Sequence, residues 1–167
     1  MRRKALSAFL SAGLLSAITP AAATDTAPAY WLNFAIGYYD VFDEQDGFDL
    51  RAEFRPNSTV FIDNLKPWAG LELTSQGSIW AGIGLLYDRN FKENWYFTPS
   101  LGVGFYTDGG SDKDLDYPVQ FRSQLEIDYE LESQHRIGLS LSHMSNAGLG
   151  DHNPGTEVIS LNWSYPF

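Results

Sequence analysis

His143 and Ser145 stand two residues apart and are followed in the chain by Glu157. An imidazole, a hydroxyl and a carboxylate are the parts of a nucleophilic triad. The carboxylate orients the ring, the ring takes the hydroxyl proton, and the freed oxygen attacks an acyl carbon. His143 and Ser145 continue the odd-numbered series Ile137, Leu139, Leu141, while Glu157 begins the series Ile159, Leu161, Trp163, Tyr165, Phe167. If two antiparallel strands pair Leu141 with Ile159 and Leu139 with Leu161, His143 faces Glu157 with Cβ atoms about 4.5–5.5 Å apart. Ser145 then lies on the same face, within side-chain reach of the other ring nitrogen. The competing explanation is a polar loop in which an H-x-S spacing carries no meaning, and Asp151 and His152 offer a second acid and base in the same stretch.

The elements that would have to position these residues are strands. From Trp95 to Tyr106 the odd positions read Trp, Phe, Pro, Leu, Val, Phe, and from Val119 to Glu130 they read Val, Phe, Ser, Leu, Ile, Tyr against Gln, Arg, Gln, Glu, Asp, Glu. A period of two with one apolar face is the signature of a strand. The same split recurs in Phe48 to Arg55 and, more weakly, in Leu32 to Tyr38, Ala69 to Leu73 and Ile79 to Tyr87. With the two C-terminal segments this makes eight strands. Long polar connections are expected at Asp40 to Gly47, Thr107 to Tyr117 and Met144 to Thr156, and a shorter one at Asp88 to Asn94.

Arg2, Arg3 and Lys4 precede an apolar run from Ala5 to Ile18, then Pro20 and Ala21-Ala22-Ala23, the pattern of a cleaved export signal over residues 1–23. The mature domain would span residues 24–167, with eight basic against 21 acidic residues and a formal charge of −13. Such a balance argues against nucleic acid, whose phosphates need clustered Lys and Arg. Cysteine is absent, so no disulfide, thiolate nucleophile or thiolate metal site is available. The acidic run Asp108, Asp112, Asp114, Asp116 fits no calcium-loop spacing and reads as a solvated loop.

Alternation alone suits both a soluble sandwich and a membrane barrel. The barrel is favoured by aromatic residues near strand ends, strands of about ten residues, and a terminal Phe167 in phase with the apolar face. The expected fold is all-β, an eight-stranded antiparallel transmembrane barrel whose interior is filled by Arg51, Glu53, Glu72, Arg122 and Glu126 rather than open as a pore. The long segments would then be extracellular, with His143 at the outer rim. His135, Trp31 and Trp95 are expected at the membrane interface.

His143-Met144-Ser145-Asn146-Ala147-Gly148, followed by Glu157 and Trp163-Ser164-Tyr165-Pro166-Phe167, resembles the PagL-type lipid A 3-O-deacylase family. The resemblance is concentrated between Gly138 and Phe167. It implies an outer-membrane esterase acting on lipopolysaccharide, with Ser145 as nucleophile, His143 as general base and then acid, and Glu157 as the orienting carboxylate. It further implies Asn146 and the amides of Ala147 and Gly148 as the segment that meets the oxyanion. No metal or organic cofactor is called for, outer-membrane lipid is the surrounding partner, and a homodimer is left open. The rival readings are a non-enzymatic barrel serving adhesion or envelope integrity, and a different lipid-modifying barrel such as a phospholipase.

Overall fold

The computed structural model describes residues 27–42 and 47–167; the export signal expected at residues 1–23 lies outside them. Eight strands follow one another: β1 (Tyr30–Tyr39), β2 (Gly47–Pro56), β3 (Leu65–Thr74), β4 (Ile79–Tyr87, carried on by Arg89–Lys92), β5 (Trp95–Phe97, carried on by Ser100–Thr107), β6 (Val119–Glu130), β7 (Arg136–Ser145) and β8 (Thr156–Pro166). Each pairs antiparallel with the next, and β1 closes the sheet on β8, with Trp31 opposite Pro166 and Tyr39 opposite Val158. Among the described residues closure leaves no unpaired sheet edge, the condition for spanning hydrocarbon with strands.

The segment 88–94, expected as a connection, is largely strand: Leu86 pairs with Ser100 and Arg89 with Phe97, so β4 and β5 keep one register across the interruption. Arg89 to Lys92 are all exposed, and polar residues that project beyond an apolar band extend a ladder without leaving a hydropathy signal. For the same reason β7 runs on to Ser145, past the expected start of the loop at Met144.

The two faces settle which solvent the barrel meets. Glu126 is 0% exposed while the outward Ile83 is 64% and Leu101 69% exposed, the inverse of a water-soluble fold. Inside, Arg55 donates to both oxygens of Glu126 at 2.7 and 2.8 Å, and Arg122 donates to Glu72 at 2.9 Å and to Glu53. Arg51 donates to Ser140 and Asn162. The Arg122 guanidinium lies over the rings of Trp68 and Trp80, 4.4 and 4.8 Å from their centroids. Gly84 and Gly102 leave room for the Trp68 indole where any Cβ would collide with it. The expected polar plug is therefore present, and it fills the lumen.

Trp31 departs from expectation: it points inward, 6% exposed, beneath the Arg136 guanidinium. Its position in β1 shares the parity of Asn33 and Ala35, which the hydropathy of a lone Trp did not reveal. Trp95 and His135 do lie outside. Trp95 packs on Tyr129, and the Trp163 Nε1 donates to His135 Nδ1 at 3.0 Å, an aromatic girdle at the end that carries the C-terminus. Residues 40–42 and the segments 108–118 and 146–155 lie at the opposite end.

Candidate active site

The site is built by the β7–β8 hairpin. Leu141 pairs with Ile159, Leu139 with Leu161 and His143 with Glu157, the register anticipated from parity. The side chains meet: His143 Nδ1 lies 2.7 Å from Glu157 Oε1, on the outward face. The imidazole is 47% exposed and the carboxylate 23%. A polar pair is costly beside lipid and gains the barrel no packing, so it has the character of a functional placement at the rim.

On the other flank of β7, Ser123 of β6 stands directly opposite His143, giving the row Glu157, His143, Ser123 across three strands. Ser123 interrupts the apolar odd series of β6, a signal that sequence reading passed over. Ser145, one step further along the odd face of β7, is half-buried and pairs with Phe121. Among the described residues no hydrogen bond joins Ser145 to the imidazole.

Beyond Ser145 the chain turns sharply: Ala147 and Gly148 both adopt left-handed conformations, with φ of 53° and 81°. Asn146 organises this turn. Its side chain is 0% exposed, its Nδ2 donates to the carbonyls of Leu115 and His152, and its Oδ1 accepts the Gly148 amide. The Ala147 amide has no hydrogen-bond partner among the described residues. Asp151 is exposed, and His152 contributes through its backbone: its amide donates to Asp116 Oδ2 at 2.7 Å. The acidic segment 108–118 is thus tied to the turn, with Leu115 buried in the mouth of the barrel against Trp80 and Met144.

A groove of about 1360 Å³ runs along the outer wall to this pair. Leu65, Pro67, Ile83, Leu101 and Leu125 line it, and His143 and Glu157 close one end. Its walls are apolar almost throughout, so it suits an acyl chain lying against the barrel and carries its polar groups where an ester would follow.

A crystal structure of the outer membrane enzyme PagL superposes with a TM-score of 0.63 at 20% identity, over 82% of this chain and 99% of that one. Neisserial surface protein A superposes with a TM-score of 0.61 at 10% identity, over 86% of this chain and all of that one. At such identities these likenesses speak for the barrel alone. In sequence, the lipid A deacylase PagL of Bordetella bronchiseptica strain RB50 is 30% identical over 95 residues, 56% of this chain. That alignment spans about half the length of the Bordetella protein, 53%. The sequence profile described as lipid A 3-O-deacylase (PagL) matches residues 46–166, a span that takes in seven complete strands, β2 to β8, both tied loops, and the His143, Ser145 and Glu157 face. With that match, the chain belongs to the PagL lipid A 3-O-deacylase family.

Proposed function

We propose that the protein is an outer-membrane serine esterase that hydrolyses the ester-linked acyl chain at the 3-position of lipid A. The observation that carries this reading is the 2.7 Å pairing of His143 with Glu157 on the lipid-facing side, at the end of an apolar groove. Glu157 holds the ring by Nδ1, which leaves Nε2 to take the Ser145 proton. The Ser145 oxygen adds to the ester carbonyl, the alkoxide of the glucosamine leaves with the proton from His143, and water then attacks the acyl-enzyme under the same base. A hydroxy fatty acid is released into the leaflet.

Ser145 is assigned as nucleophile over Ser123 because an acyl transfer needs free donors for the oxyanion. Ser123 sits in mid-ladder, between Leu101 and His143, where backbone amides are engaged by both neighbouring strands. Ser145 adjoins the turn whose Ala147 amide has no hydrogen-bond partner among the described residues. Asn146 and Gly148 support that donor: the Asn146 side chain spends its own donors on the two carbonyls and so shapes the turn that presents Ala147.

The test is mass spectrometry of lipid A from outer membranes holding the wild-type chain or Ser145→Ala at equal abundance. Loss of one hydroxyacyl mass with wild type alone is the expected result. Unchanged lipid A with both, in correctly inserted barrels, would favour a phospholipase or a non-enzymatic barrel.

A further inference from the structure

Gly155 lies between the His143 imidazole and the start of β8. A Cβ built on it would stand 2.6 Å from His143 Cε1 and 3.3 Å from Nδ1, the nitrogen that meets Glu157. The imidazole is thus in contact with bare backbone on the side next to its working hydrogen bond. That backbone is not free to retreat. Thr156, its neighbour, is 1% exposed and donates from Oγ1 to Asp40 Oδ1 at 3.0 Å, and the same oxygen accepts Lys113 Nζ at 2.7 Å. Thr156 also pairs with Met144, whose carbonyl would lie 3.5 Å from the added Cβ.

From this geometry we infer that Gly155 is a positioning residue for the catalytic pair: its missing side chain makes the slot in which the ring lies with Nδ1 on Glu157 and Nε2 turned to the serine. The inference rests on the esterase reading above and deepens it. A methyl group at 155 meets the tip of a rotatable side chain on one side and an anchored strand on the other, so the ring is what moves. The backbone at 155 does not require glycine for its own conformation, since its φ is not among the positive values. The barrel should therefore tolerate the change while the site does not.

The experiment is Gly155→Ala in the full-length chain, assayed on lipid A in detergent micelles beside Glu157→Ala and the double variant. Folding is read from the heat-dependent gel mobility of the intact barrel. The expected result is wild-type mobility, KM within about twofold, and kcat reduced roughly 10- to 100-fold, the scale of a displacement near 1 Å at a reacting centre. In the double variant the two losses should not multiply, because both act on one ring orientation. Wild-type kcat in Gly155→Ala, or losses that multiply fully with Glu157→Ala, would overturn the role of Gly155. Full activity in Glu157→Ala would instead overturn the triad reading itself. Altered mobility of Gly155→Ala at unchanged kcat per folded barrel would make the glycine structural and also overturn the proposal.

Discussion

The 2.7 Å contact with Glu157 Oε1 fixes the orientation of the half-exposed His143 ring. Glu157→Gln keeps an acceptor opposite Nδ1 and removes the charge that, in the proposed mechanism, stabilises the imidazolium. The expected outcome is a kcat lowered by about 10²- to 10⁴-fold with KM little changed, read as release of hydroxy fatty acid from lipid A micelles. Ser123 tests the nucleophile assignment. Ser123→Ala should retain activity within a few fold, because that hydroxyl has no oxyanion donors beside it, while Ser145→Ala should lose it. The exchange of these two outcomes would move the nucleophile to β6.

At the scale of elements, the turn that follows Ser145 is held by a loop from another hairpin. Asn146 joins Leu115 and His152 through its Nδ2, and Asp116 accepts the His152 amide. Asn146→Ala leaves the His152 carbonyl and the Gly148 amide without the partners they have here, at about 1–3 kcal/mol for each group that water does not reach, while the Leu115 carbonyl keeps the Tyr117 amide and Gln120 Nε2 as donors. The turn and the 108–118 segment should loosen together, seen as new cleavage in both by limited proteolysis with the strands still protected. Asp116→Ala removes one tie and should lower kcat several-fold without new cleavage in the strands. How much of this was legible in sequence follows from what periodicity encodes. The hairpin register that sets His143 against Glu157 could be read because the side-chain period of two fixes faces, and Leu139 to Leu141 and Ile159 to Leu161 mark them. The ties between Leu115, Asp116 and Asn146 are long-range contacts among loop residues with no period, so Asp116 read only as one more solvated acid. Trp31 pointed the wrong way for a related reason: an indole is compatible with an interface and with an arginine-lined lumen, and only the Arg136 guanidinium above it decides. Gly155 left no trace because the significance of an absent side chain depends on what stands 2.6 Å away.

Across the whole molecule, stability is divided between a charged interior and an apolar exterior, and the two respond oppositely to the same kind of change. Arg122→Leu removes the partner of Glu72 and one partner of Glu53, leaving buried negative charge uncompensated at a cost of about 3–5 kcal/mol. A lower urea midpoint in detergent micelles is expected, and adding Glu72→Gln should restore part of it by removing the orphaned charge. On the outside, charge is the intruder. Leu139 lies in mid-strand between Ile127 and Leu161, 62% exposed to lipid, so Leu139→Arg should cost about 2–4 kcal/mol in the folded barrel. Leu149→Arg, on an exposed residue of the 146–155 loop, should change stability by no more than about 0.5 kcal/mol. Both are read as urea midpoints of barrels refolded into lipid vesicles. Equal effects at the two positions would mean that the band between the girdle and the loops does not meet hydrocarbon, and the argument for a lipid-facing triad would fail with it. A large cost at Leu139 alone places His143, one step beyond Leu141 toward the rim, at the depth where a polar pair is tolerated and an ester of the outer leaflet is within reach.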